Sequence, residues 1–288
     1  MTPTSPQHPF MATILLAEPV VVTNAMLKSA LTGIWPKIAD GLVIGGEDDA
    51  PATLCAIPGK IITLIQSDAP VPASVFQRAL AMGENRWPQA QAAIDGHKAH
   101  VVVSMLDPGS KPLDAVSEAL FTTAVTAAVA ASLEALGVHW PASETFVSGE
   151  DFITQSQGMQ SNELPLQLWF QLIPLDVNNP QTSSSHRMML SEGLRAFTGH
   201  ELEFAPSTTI RHEDMAPRMI SLAETLITQG PVAKDGGTFG LSEADRCRLK
   251  FKPHGVRPNL PVLELTAEAL ETPGAGSSRR KAFGKRTG

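Results

Sequence analysis

Between residues 113 and 136 the chain carries its longest helical pattern. Leu113, Val116, Leu120, Ala124, Ala127 and Ala131 recur near the helical period and give a broad apolar stripe. Such a stripe must be covered, and its alanines let a neighbouring sheet or helix approach closely. The spacing therefore predicts a long Ala-rich helix that bridges two halves of the molecule and stops at Gly137. It is also the one stretch that raises the question of a membrane. Ala and Thr dominate it and Asp114, Glu118 and Glu134 interrupt it, whereas a span needs about 20 predominantly apolar residues, so no membrane partner is expected.

The segments before this helix alternate between strand and helix signals. Ala12-Thr-Ile-Leu-Leu-Ala17 reads as a buried strand ended by Pro19. Thr23 or Asn24 then caps a helix that Pro36 kinks or breaks near Trp35. Residues 52–57 and 60–65 flank Pro58-Gly59 and predict a hairpin. A helix from Ser74, a helical piece over residues 89–94 and an apolar strand over residues 99–106 follow. The order strand, helix, strand, strand, helix, strand is that of a ferredoxin-like βαββαβ unit. His139 and Trp140 fall in a short irregular or extended stretch, as do residues 145–147.

Beyond residue 153 a polar run, residues 154–163, marks a boundary or exposed loop. Strands are expected over residues 166–173, 246–251 and 262–265, with one principal helix from His212 or Glu213 to about Thr228. Within Gly193-Leu-Arg-Ala-Phe-Thr-Gly-His-Glu-Leu-Glu-Phe204, a three-residue loop with Gly199 in the left-handed position sets Arg195 opposite Glu201 and Leu194 opposite Leu202. Glu201 and Glu203 then share a polar strand face about 7 Å apart. The fold class is α+β: a ferredoxin-like half over residues 11–153 and a smaller antiparallel α+β half over residues 154–270. Residues 1–10 and the basic residues 271–288 are read as disordered ends.

A net charge of −7 argues against a nucleic-acid-binding body. Arg279, Arg280, Lys281, Lys285 and Arg286 in the tail are the exception, and the expected reading there is a solvated terminus. Cys55 and Cys247 lie far apart inside apolar runs, as expected for buried reduced thiols in a cytoplasmic protein, and residues 1–10 lack the basic and apolar regions of a targeting signal.

Five segments taken in order resemble a known family. They are Leu15-Leu16-Ala17-Glu18-Pro19, His97 to Val103, Gly137-Val138-His139-Trp140, Gly193-Leu194 through Glu201-Leu202-Glu203, and Gly230-Pro231-Val232 with Asp235 to Gly240. Together they look like the bacterial family called domain of unknown function 4261, over about residues 11–265. The resemblance implies no activity and supplies no catalytic residues.

Several residue groups merit testing as sites. His97 and His100 have HxxH spacing, which on a helix would offer two metal ligands; here they straddle a helix-to-strand passage with no third ligand spaced nearby, and structural histidines are the stronger reading. His139 beside Trp140 could line a pocket or cap a core edge. Glu201 and Glu203 could be paired acids, against which stands a salt-bridged face with Arg195. Lys234 and Asp235 open a glycine-rich loop, Asp-Gly-Gly-Thr-Phe-Gly, that lacks the strand before and helix after it that a phosphate loop needs. No cofactor motif is present. The expected function is a bacterial cytoplasmic binding or protein-interaction module. The alternative is a hydrolase working in a cleft between the halves through His139, Glu201, Lys234 and Asp235.

Overall fold

The structure, a computed structural model, describes residues 10–39, 43–45, 52–57, 60–83, 87–106, 114–179, 184–240, 242 and 245–268. The turn residues Pro58 and Gly59 and the two chain ends expected to be disordered, apart from Phe10, lie outside the described residues. The chain is α+β. Strand β1 (Met11–Leu16) leads to α1 (Asn24–Ile34), where the Thr23 hydroxyl accepts the Met26 N–H at 3.2 Å. Pro36 breaks this helix as expected, and the chain restarts as α2 (Pro36–Ala39). Strands β2 (Val43–Gly45), β3 (Ala52–Ile57) and β4 (Lys60–Ser67) follow, with β3 and β4 paired antiparallel as the hairpin reading requires. Helices α3 (Gln77–Gly83) and α4 (Ala90–Gly96) lead to β5 (Ala99–Leu106). The helix α5 (Ala115–Ser132) and the strands β6 (Gly137–Trp140) and β7 (Thr145–Ser148) complete the first sheet.

That sheet runs β2-β3-β4-β5-β1-β6-β7 and every pair in it is antiparallel. The ferredoxin-like order is not formed. A split βαβ arrangement would insert β1 between β4 and β5; instead β5 pairs with both β4 and β1, and β1 is passed outward to β6. The reason lies in the strands themselves. β1, β4 and β5 are apolar on both faces, so alternation says nothing about neighbours. The β6–β7 hairpin, expected as irregular or short extended chain, supplies β1 with a second partner.

Helix α5 starts at Asp114, whose carboxylate accepts the Ser117 N–H at 2.9 Å. By length and composition it could cross a membrane, but 56% of it is buried inside the protein, including an unbroken run from Thr122 to Ala130. It packs on α1 and on β1 and β5 of the sheet's inner face, where Ala12, Ile14, Cys55, Leu64, Val103 and Val138 are fully buried. Its hydroxyls can be buried because Thr122, Thr123, Thr126 and Ser132 each donate to the carbonyl four residues earlier at 2.7–2.9 Å. The helix ends before Gly137. That glycine is needed inside β6, where a Cβ would come within 2.7 Å of the Trp87 ring. On the sheet's outer face Phe76, at the end of a 3-10 turn (Ala73–Phe76), together with Ala79 of α3 and Ala90 and Ile94 of α4, covers Leu15 and Phe146.

The boundary expected at residues 153 and 154 falls inside a helix. Ser148 caps α6 (Gly149–Gln157) by accepting the Asp151 N–H at 3.0 Å, and a 3-10 turn continues to Ser161. Leu166–Trp169 is one helical turn, α7, rather than the start of a strand. The second sheet is built from β8 (Gln171–Asn179), β9 (Ser184–Glu192), β10 (Glu201–Ser207), β11 (Thr238–Gly240), β12 (Arg246–Lys252) and β13 (Val262–Ala267). A one-turn helix α8 (Arg195–Thr198) lies between β9 and β10, and α9 (His212–Gln229) lies between β10 and β11. Its order is β11-β12-β13-β10-β9-β8, and the expected all-antiparallel pattern is broken by β10 and β13, which run parallel. One hydrophobic cluster joins both sheets through α5. The Trp169 indole N–H, on the second half, donates to the Thr123 hydroxyl at 2.9 Å.

Candidate functional site

The turn between β9 and β10 folds around a carboxylate. Gly193 takes φ +101° and Gly199 φ +80°, so the chain curls into α8 instead of the three-residue loop, and β9 pairs with β10 as Leu190 opposite Glu203. Glu201 therefore faces inward and is only 3% exposed. Its Oε1 accepts the N–H groups of Gly193 and Arg195 at 3.0 and 3.1 Å, and its Oε2 accepts the Leu194 N–H at 3.2 Å and the Ser191 hydroxyl. Arg195 thus meets Glu201 through its backbone and not through its guanidinium. Glu203, 4% exposed, accepts the Val256 N–H at 2.9 Å, and Gly255 leaves room for its carboxylate. The polar solvated face expected for this pair is not what forms.

Beside this turn a chain of charges ties the two sheets. Arg257 donates to Glu192 and, at 2.6 Å, to the Ser191 carbonyl; Arg78 donates to the same Glu192 carboxylate at 2.7 Å. Arg78 also lies 3.9 Å from Glu144, and Glu144 lies 3.4 Å from His139 Nε2. His139 is buried beneath Phe76, ring to ring at 5.4 Å, and makes no hydrogen bond with the described residues. Ser143, in the same turn as Glu144, gives its hydroxyl to the Leu168 carbonyl at 2.8 Å, with the Thr145 hydroxyl equally close. These contacts hold a corner of the molecule together.

Next to that corner is a groove of about 790 Å³. Thr145 and Val147 of β7 form one wall and Phe170, Gln171 and Leu172 at the start of β8 the other. Asp151 and Gln155 of α6, residues 164–167 and Ile220 of α9 complete it. β7 and β8 are each the last strand of their sheet. The Gln155 Oε1 atom is buried with no hydrogen-bond partner among the described residues. Sequence reasoning missed this groove because its lining comes from separate segments, none with a motif.

The residues singled out from the sequence are dispersed. His139 and Glu201 sit near the junction corner, the latter with both oxygens occupied. Lys234 lines a separate pocket of about 180 Å³ with Leu222, Phe239 and Leu249, at the opposite edge of the second sheet from the groove. Asp235 accepts the Phe251 N–H at 2.8 Å and shapes the turn into β12. His97 accepts the Val71 N–H at Nε2, 2.8 Å, and donates from Nδ1 to the Ile94 carbonyl at 2.5 Å. His100 Nδ1 donates to the Ala69 carbonyl at 2.7 Å. Both ring nitrogens of His97 are thereby committed to backbone groups, and no cluster of three metal-ligating side chains occurs among the described residues. No family model, curated protein or solved structure matches the chain.

Proposed function

We propose that this chain is a binding module of the bacterial cytoplasm whose groove takes an extended segment of a partner protein. The observation that carries the reading is the position of the groove between the free edges of two sheets. An edge strand presents unpaired N–H and C=O groups that an extended peptide can match, while side-chain pockets choose the sequence. The lining suits such a ligand. Val147, Leu166, Leu172 and Ile220 offer apolar contact, and Gln155, whose buried Oε1 has no hydrogen-bond partner among the described residues, lies in the lining. The hydrolase alternative is less well supported, because Glu201 is saturated by four donors and Lys234 and Asp235 lie at another edge. Likeness to the domain of unknown function 4261 family belongs to the same proposal and adds no activity to it.

The test is selection of displayed random peptides on the full chain, followed by fluorescence polarisation. Ile220→Glu places a charge at a half-exposed apolar contact and is expected to weaken selected peptides at least tenfold, while Val232→Glu, away from the groove, leaves them unchanged. Peptides indifferent to Ile220→Glu, or a failure to select any, refute the reading.

A further inference from the structure

We propose that the ligand of the groove is a basic extended segment that joins the second sheet along β8 through the main chain of one residue, Leu172. The proposal rests on the groove being the binding site. Successive residues of a strand turn their N–H and C=O groups alternately to its two sides. The Glu201 N–H donates to the Pro261 carbonyl at 3.0 Å, so Glu201 and Glu203 spend their main chain on β13 while Leu202 and Phe204 turn theirs to β9. Phe204 stands opposite Met189, so Met189 faces β10 and its neighbour Leu190 faces β8, where it meets Ile173. Ile173 is thereby committed to β9. Leu172 and Pro174, on either side of it, turn to the free edge.

That edge offers the groove a single strand donor. Pro174 has no N–H, and an edge is where a strand admits proline. Phe170, two residues before Leu172, has its N–H bonded to the Leu166 carbonyl at 3.0 Å. Leu172 lines the groove, and its outward N–H and C=O have no hydrogen bond among the described residues. A strand laid antiparallel to β8 can exchange both bonds with it through one residue. β7 plays a different part. The Gly149 N–H donates to the Leu136 carbonyl at 3.4 Å, which by the same alternation turns the main chain of Thr145 and Val147 to β6. Those two line the groove, whereas Phe146, turned to the β7 edge, does not. β7 therefore supplies a wall and β8 the pairing.

With so short a ladder, side chains must choose the ligand. Among the described residues that line the groove only Asp151 is charged, and its exposed carboxylate makes no ion pair among them. Glu150 and Glu163, each next in sequence to a lining residue, add further negative charge, and no Lys or Arg lines the groove. A segment carrying Lys or Arg complements this surface. A second copy of the chain, itself of net charge −7, does not.

Fluorescence polarisation of peptides selected on the full chain compares Leu172→Pro with Leu172→Ala. Both remove the isobutyl group and only the first removes the N–H, on a strand that already accommodates Pro174. Leu172→Pro is expected to bind the peptides at least about tenfold more weakly than Leu172→Ala. If the proline variant lacks the cooperative thermal transition of the wild type, the readout is N-methylation of the peptides one residue at a time, with the wild-type chain, expected to cost at least about tenfold at one position. Asp151→Asn is expected to weaken the peptides about threefold and to flatten their dependence on salt. Equal binding by Leu172→Pro and Leu172→Ala, or tolerance of methylation at every position, overturns the pairing with β8. Selected peptides that lack Lys and Arg overturn the basic ligand. Either failure leaves the groove reading standing where Ile220→Glu still weakens the same peptides, whereas the absence of any selectable peptide removes both.

Discussion

Replacing Glu201 by Gln tests whether the β9–β10 turn is built on a carboxylate. The amide keeps the shape but turns one accepting oxygen into a donor. Each oxygen of Glu201 accepts two hydrogen bonds; with the NH₂ group on the Oε2 side the Ser191 hydroxyl can turn to accept from it, so the change sets a donor against the buried Leu194 N–H and strips the charge from the two bonds left at Oε1. Hydrogen bonds to charged groups contribute about 1.5–3 kcal/mol each and neutral ones about 1, so losing the Leu194 bond and weakening the two at Oε1 gives about 3 kcal/mol. With an unfolding entropy of about 2.1 cal/mol/K per residue, a chain of 288 residues loses roughly 5 °C in thermal midpoint for that change. Urea unfolding followed by the fluorescence of buried Trp140 and Trp169 reads the loss directly. Glu203→Gln is the internal comparison, because its one backbone donor can still be met by the amide oxygen, and it is expected to cost no more than about 1 kcal/mol. A Glu201→Gln variant within about 0.5 kcal/mol of wild type, or no worse than Glu203→Gln, refutes the account.

Three further outcomes follow from the same structure. Gly193→Ala meets both a left-handed backbone and contact within 2.5 Å of the Trp169 carbonyl, so it is expected to destabilise by more than about 2 kcal/mol, measured by urea unfolding. Burial pushes the His200 imidazole below its usual range, so the unfolded chain takes up a proton that the folded chain refuses. Stability is then full above about pH 6.5 and falls as the pH drops below it; His200→Phe, which keeps a ring against Phe251, is expected to flatten that part of the pH–stability curve. Burial also raises the thiols of Cys55 to about 12 and Cys247 to about 11, so neither is expected to react with a thiol reagent at pH 8 until denaturant is added, as followed by absorbance.

Local signals were legible where one residue type decides the outcome. Thr23 caps α1, Pro36 breaks it, and the 52–65 hairpin and α5 stand close to where their patterns put them. Strand order was not legible, because β4 and β5 carry apolar residues on both faces and accept any neighbour equally. Helix α6 had a readable signal that polarity obscured: Ser148 with Asp151 three residues on is a capping pattern, and the polar run that follows is helical. The β9–β10 turn was misread because a carboxylate was given a side-chain partner, Arg195, when backbone N–H groups supplied the partners instead. The groove had no local signature at all, since α6, α7, β7, β8 and α9 each contribute only a few residues to it.

The position of β1 bears on how this protein is made. Its Leu16 pairs with Ala99 and its Thr13 with His139, so β1 is held by strands synthesised long after it. At about 5–20 residues per second, that interval lasts on the order of 6–25 s. One edge of this apolar strand can be filled by β5 after about 4–17 s, but the other stays open for the full interval, and the first sheet cannot close until β6 has emerged. Slow non-local pairing of this kind leaves nascent chains prone to aggregation. Yield from a cell should therefore depend on translation rate and chaperone supply more steeply than the stability of the finished fold suggests.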